Sequence, residues 1–437
     1  MRNSPNSLIK KFVWPVRLIT GFVFILSGFL KGVDPWGTFY KFEEYIQAFG
    51  LNFWHNLVIS GVFILCILEF LIGIFLVLGC FRKSVPWVAA FLMCFMLPLT
   101  LWIAISNPVS ECGCFGDAIV ISNWATFWKN VVLSFGIIFL IFYNKDAKCL
   151  ITPYLQWIVL IVSIIFVLVI EIFGYSYQPL LDFRKFPEGL DLSQESGLSA
   201  SGPQYLFIYQ KENEIREFSE NDIPDEDQGW IFKERKLLKE DNFHDNDNPQ
   251  DVSLEFWDKD GDFYNVSEVL DLKGKEIVLL SPDLKKVSMA TTWKINSLNE
   301  WAQKNDIKMI AIVAGNEKDI DEWEDLSMPD YPIYLADDSL IKQIVRGNPG
   351  VILLDDGKII WKSTLKAINI DNLTASDNNG LYDFIDNKKS ILRNCIFLYI
   401  IVLGFFIILS LIPDFITSVR SLGKRKKVSH DDTAPLE

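Results

Sequence analysis

The sequence predicts a multi-pass α-helical membrane bundle carrying one extracytoplasmic α/β domain. Half of the 437 residues are apolar and the mean hydropathy is positive, yet the formal net charge is −14, so apolar and charged residues must be segregated along the chain. Apolar stretches fall at about 13–30, 57–79, 87–106, 127–144, 154–174 and 392–413, each near the ~20 residues a helix needs to cross the hydrocarbon. Between the fifth and sixth stretches lies an acidic segment whose later part alternates strand-like and helical runs, the order of an α/β domain.

The first stretch follows Lys10 and Lys11, as a signal peptide would, but Trp14, Pro15 and Arg17 interrupt it. It ends in Ser27-Gly-Phe-Leu-Lys-Gly-Val-Asp-Pro35 without a small-residue cleavage site, so a retained helix is expected. Pro35 stops that helix. The mixture of Trp, Phe and Tyr with charges over Asp34–Tyr45 then suits a short interfacial helix roofing the bundle.

Lys and Arg set the orientation. Arg2, Lys10 and Lys11, the turn with Arg82 and Lys83, the turn with Lys145 and Lys148, and the tail with Lys424, Arg425, Lys426 and Lys427 share one side if six helices alternate. That side is expected to be the cytoplasm, with both termini in it. The acidic domain then lies opposite, with Asp34, Glu43, Glu44, Glu111 and Asp117.

Polar residues inside the spans need a reason. Glu69 stands near the middle of the second span, where an ionised carboxylate costs at least about 2.5 kcal/mol and faces the bundle interior with a partner. Arg17 could reach toward it, and a protonated Glu69 bonded to a neighbouring helix is the plainer alternative. Lys31 and Lys129 stand near span ends, from which such side chains snorkel to the interface.

Of the seven cysteines (Cys66, Cys80, Cys94, Cys112, Cys114, Cys149, Cys395), only Cys112 and Cys114 fall in an expected extracytoplasmic loop. Thiol chemistry on that side is therefore expected from this pair. Two cysteines one residue apart bridge only if the backbone curls, which Gly113 permits. A strained, exposed bridge of that kind is the exchanging sort. A tight turn with two packed thiols, or pairing of one cysteine with a partner protein, is the alternative. The three histidines, His55, His244 and His430, are scattered, so no metal site is expected.

These residues carry a resemblance. Ser27-Gly28 with Lys31 and Asp34-Pro35, Glu69 in the second span, and Cys112-Gly-Cys-Phe-Gly116 before the fourth resemble the MauE branch of the DoxX-like membrane proteins, over residues 10–145. The resemblance implies a four-helix bundle in the bacterial inner membrane. It also implies candidate site residues Cys112, Cys114, Glu69, Lys31 and Asp34, and a part in disulfide formation or maturation of an extracytoplasmic dehydrogenase in methylamine utilisation. DoxX relatives are linked to quinone-coupled sulfur oxidation, which makes quinone the candidate cofactor.

Residues 176–251 are rich in Glu, Asp, Asn and Lys and read as an acidic linker region, with Asp241–Asp251 its least buriable part. A compact domain is expected over 252–368. Phe256-Trp-Asp-Lys-Asp-Gly261-Asp-Phe-Tyr reads as a hairpin turning at Asp260-Gly261. It is not a calcium loop, because the glycine comes early and no Glu stands at the twelfth position. Strands at 276–280, 309–313 and 332–335, a helix over 288–304 and a closing hairpin around Asp355-Asp-Gly357 follow. This order resembles the thioredoxin-like fold of the TlpA kind, with Asp271–Lys275 before the first core strand and Pro349 as the cis-proline. Where that family places Cys-x-x-Cys, this chain reads Ser281-Pro-Asp-Leu-Lys-Lys-Val-Ser-Met289, with no thiolate to act as nucleophile.

A sixth span at 392–413 and a basic tail at 414–437 close the chain. Two functions follow: thiol–disulfide exchange with an extracytoplasmic protein through Cys112 and Cys114, or a non-catalytic assembly module that docks partners on its degenerate domain. Transport around Glu69 is disfavoured by the lack of repeat symmetry or broken helices. The bilayer is an expected partner and nucleic acid is not.

Overall fold

The computed structural model describes residues 7–51, 55–107, 113–144, 149–192, 205–211, 214–219, 231–237, 254–369 and 387–431. It divides into two compact units, Met1–Arg184 with Lys366–Glu437, and Lys185–Leu365.

Among the described residues, the first unit contains six helices long and apolar enough to cross a membrane. They are α1 (Ser7–Val33), α3 (His55–Leu78), α4 (Val85–Ser106), α5 (Asn123–Tyr143), α6 (Pro153–Ser176) and the last helix, Asn387–Asp431, which follows the second unit in sequence. Between the first two lies α2 (Pro35–Ala48), the expected roof helix. Proline opens α2, α4 and α6, where its missing N–H costs nothing. Pro15 and Pro98 sit inside α1 and α4, a placement tolerated in membrane helices because neighbours satisfy the freed carbonyls.

Small residues bring α1 against α3. A Cβ added at Gly73 would lie 2.4 Å from the Ile25 nitrogen, and one at Gly28 would lie 2.5 Å from the Phe70 nitrogen. Such close backbone approach drives helix association where no hydrophobic gain is left to win. Trp36 of α2 stacks on Tyr175 at the end of α6, with ring centroids 4.9 Å apart, and its indole N–H donates to the Tyr175 carbonyl at 3.0 Å. The last helix docks on α6 through Tyr399, which stacks on Phe166 at 4.1 Å and shares a 2.8 Å hydrogen bond with Ser163.

The second unit is built on a seven-stranded mixed sheet. Before it in sequence, within the stretch read as an acidic linker region, β1 (Tyr205–Lys211), β2 (Glu214–Ser219) and β3 (Ile231–Leu237) form a separate antiparallel sheet. The main sheet takes β4 (Phe256–Trp257), β5 (Phe263–Tyr264), β6 (Lys275–Ser281), β7 (Lys308–Val313), β8 (Ile333–Leu335), β9 (Gly350–Asp355) and β10 (Lys358–Thr364). Its order is β10-β9-β6-β7-β8-β4-β5. Strands β6, β7 and β8 run parallel, while β9 and β10 fold back antiparallel as a hairpin. Two crossover helices, α7 (Met289–Lys304) and α8 (Glu317–Ser327), join the parallel strands. The domain resembles the thioredoxin-like fold, and the Asn348–Pro349 peptide is cis.

The β4–β5 hairpin turns at Asp258–Asp262, where the Asp258 carboxylate accepts the Asp260 and Asp262 N–H groups at 3.0 Å each. The core also takes in Phe186 and Leu192, both buried, from well before residue 252.

Candidate functional site

The glycine contacts fix the register of α1 on α3, and that register decides which polar residues meet. Because Gly28 lies on the Cys66–Phe70 turn, Ser27 and Lys31 flank Glu69. The Lys31 ammonium sits 2.7 Å from Glu69 Oε1 and 2.9 Å from Oε2, and Ser27 Oγ lies 2.8 Å from Oε2. Glu69 is buried, as expected, but its partner is Lys31 rather than Arg17. Arg17 lies fourteen residues before Lys31, about 21 Å along the helix. It is buried beside Cys80 and Cys149 at the other end of the bundle. Lys31, expected to snorkel, is only 5% exposed, since a buried carboxylate offers it more than the interface does.

Ser27 also connects this pair to the cysteine loop. Its hydroxyl lies 2.8 Å from the Cys114 carbonyl oxygen, so one proton serves two acceptors. Lys31 interacts electrostatically with the Cys114 side chain. Cys114–Asp117 is a short extended segment, with Gly113 and Gly116 at φ 62° and 60°. Both values lie in the left-handed region that glycine reaches without steric cost. Cys112 and Glu111 lie outside the described residues. Lys129, also expected to snorkel, instead places its ammonium 4.3 Å from the Phe115 ring centroid, a cation–π contact.

Asp34 caps the roof helix. Its carboxylate accepts the Gly37 N–H at 2.9 Å, the ordinary work of an aspartate at a helix start.

A cavity of about 30 Å³ opens among Ser27, Lys31, Glu69, Cys114, Lys129 and Asn130. That is room for one or two waters. It is far below the ~300 Å³ of a small-molecule site, so a quinone does not fit beside the ion pair. A larger groove of about 440 Å³ runs between α2 and α3, but among the described residues Phe42, Ile46, Leu57, Val58, Ile64 and Leu68 line it without a polar group to orient a quinone carbonyl.

Residues 9–143 match the model of a known family, "Methylamine utilisation protein MauE". This stretch is MauE-like. The match takes in α1 to α5, with the Lys31–Glu69 pair and the cysteine loop inside it, and ends before α6. Residues 203–240 match a domain of unknown function, DUF8463. No curated protein matches the chain significantly. Among solved structures, a candidate protein disulfide isomerase from Bacteroides thetaiotaomicron is similar at 16% identity and a TM-score of 0.24, covering 29% of this chain and 85% of that one.

The chain lacks thiols at the thioredoxin-like position. There Ser281 is buried and donates to Asn348 Oδ1 at 2.7 Å, so its hydroxyl is engaged beside the cis-proline.

Two features beyond the MauE-like pair escaped the sequence. Glu171 of α6 is fully buried against Cys66, and nothing in its local pattern distinguishes it from an interfacial carboxylate at a span end. Cys80 and Cys149 meet, although they are far apart in the chain.

Proposed function

We propose that this multi-pass membrane protein carries out thiol–disulfide exchange at Cys112 and Cys114, serving the maturation of an extracytoplasmic partner protein. What supports this reading is the Lys31–Glu69 pair set directly under Cys114. A cation beside a sulfur stabilises the thiolate, which is both the attacking and the leaving form in exchange. Glu69 compensates that buried cation through two short contacts to its ammonium. Ser27, bonded to both Glu69 and the Cys114 carbonyl, holds the loop on the pair.

In the forward direction a partner thiolate attacks the Cys112–Cys114 disulfide and releases one thiolate of the pair. The second partner thiolate then resolves the mixed disulfide. The partner leaves oxidised, the pair leaves reduced, and the two partner protons pass to the two cysteines. The MauE-like match brings methylamine utilisation as the setting. The MauE-like resemblance supports the bacterial inner membrane, and the distribution of Lys and Arg supports both termini being cytoplasmic and the soluble domain periplasmic.

A second reading has its own observation. The thioredoxin-like domain keeps its fold with no cysteine where that family places its Cys-x-x-Cys, which suits a docking surface that holds the partner without reacting.

Thiol trapping in intact membranes separates the two. Exchange predicts that Cys112 and Cys114 cycle between oxidised and reduced forms and that Cys114→Ser abolishes function, since a single cysteine cannot form the disulfide that the partner reduces. Serine variants of both cysteines with undiminished activity would establish the docking reading instead.

A further inference from the structure

Cys80 and Cys149 stand at the end of the bundle opposite the Cys112/Cys114 loop, outside the apolar spans. Cys80 follows α3 in the turn that carries Arg82, and Cys149 precedes α6. The two turns are pinned together: the Leu150 N–H donates to the Leu78 carbonyl at 3.0 Å, and the Phe81 N–H donates to Gln156 Oε1 at 3.0 Å. The two thiols interact across these pinned turns. Cys80 is 1% exposed, while Cys149 is half-buried. The Gln156 amide donates to Cys149 Sγ at 3.3 Å, and the protonated thiol reaches the Ile151 carbonyl at 2.8 Å. Arg82 and the buried Arg17 supply positive charge.

We propose that Cys80 and Cys149 form a second dithiol–disulfide site, with Cys149 as the attacking sulfur, Cys80 as the resolving one, and a disulfide-bonded thiol compound as substrate. The division of labour follows from exposure, since an incoming disulfide reaches only Cys149. Its thiol is drawn down to about 6, first by Cys80, then by the positive charge of Arg82 and Arg17, against the penalty of burial. Cys80 moves up, because it keeps the shared proton.

The chemistry balances. Cys149 thiolate attacks one sulfur of R–S–S–R, forming a mixed disulfide and releasing one thiolate, which takes up the proton Cys149 had lost. Cys80 then gives up its proton, attacks Cys149 Sγ and releases the second thiol. Two protein thiols are oxidised and one disulfide is reduced to two thiols.

This site does not depend on the Cys112/Cys114 reading. Cys66, on α3 between them, lies twelve residues before the end of that helix at Leu78, about 18 Å along it, too far from Cys80 for direct exchange.

The full-length chain in detergent, reduced and then equilibrated with oxidised glutathione, tests the site by peptide mapping. The expected product is a Cys80–Cys149 cross-linked peptide, lost again on adding dithiothreitol, formed equally in a Cys112→Ser, Cys114→Ser background. Cys80→Ala is expected to stop at one glutathione on Cys149. At pH 7 a thiol titrating near 6 is about 30-fold richer in thiolate than one near 8.5. Its lower nucleophilicity offsets most of that gain in rate, so the pH midpoint of Cys149 alkylation is the better readout. It is expected near 6 in the native chain and higher in Cys80→Ala. Failure to form the cross-link, or an ordinary thiol midpoint in the native chain, overturns the proposal, whereas failure of the Cys112/Cys114 reading leaves both results unchanged.

Discussion

Lys31 and Glu69 form a buried ion pair at 2.7 Å, with each side chain only 6% exposed. Removing one partner of such a pair leaves an uncompensated charge and costs about 3–5 kcal/mol, more than deleting both. Glu69→Leu and Lys31→Met are therefore each expected to lower thermal stability in detergent strongly, and the double variant to recover part of the loss. A double variant at least as unstable as the sum of the singles would show that the two charges are held by other groups.

The contact between α1 and α3 gives a sharper expectation. Gly73→Ala would set a methyl against the Ile25 backbone, which cannot move aside like a side chain, and is expected to cost about 1–3 kcal/mol. Gly61 lies on the same helix with nothing within 4 Å of an added Cβ. Gly61→Ala is expected to be neutral or slightly stabilising through helix propensity. Equal melting temperatures for the two variants would contradict the packing described here.

Much of the membrane unit was legible because lipid imposes strict demands. Six apolar stretches announce six helices, and a mid-span Glu69 announces a buried partner. The partner's identity was not legible, since it depends on helix register, which Gly21, Gly28 and Gly73 set through backbone contacts that composition does not reveal. In the second unit, β6, β7 and the β9–β10 hairpin follow from apolar runs and the Asp-Gly turn. Phe186 and Leu192 could not be placed, because they join the core from a polar stretch. The Cys80–Cys149 contact, like that of Lys31 with Glu69, exists only once the turns are assembled.

Docking of the last helix rests on Tyr399, whose hydroxyl meets Ser163 at 2.8 Å. Tyr399→Phe keeps the stack on Phe166 and loses the hydrogen bond, so a cost of about 0.6 kcal/mol, and at most about 1.7, is expected. Tyr399→Ala removes both and is expected to cost several times more. Proteolytic susceptibility of the last helix in detergent measures the difference, and equal susceptibility of the two variants would place the docking energy elsewhere.

Glu276 makes the stability of the second unit depend on pH. Its side chain is 2% exposed, and burial pushes its carboxyl up to about 7, against the hydrogen bond that it accepts from the Asp271 N–H at 2.9 Å. The unfolded chain releases the same proton near 4.3. The folded pKa lies above the unfolded one, so the contribution is fully present below about pH 4.3, falls between about 4.3 and 7, and is gone above 7. The whole span is worth up to about 4 kcal/mol. Glu276→Gln, neutral at every pH, is expected to flatten this slope and to be more stable than the native chain at pH 8. Asp271, held low by Lys308 at 2.5 Å, acts oppositely, but its change is complete below pH 4 and does not mask the Glu276 window. Hydrogen exchange of the β6 amides between pH 5 and 8, corrected for intrinsic rates, reads the local stability directly. The same slope in the native chain and in Glu276→Gln would remove Glu276 as its source.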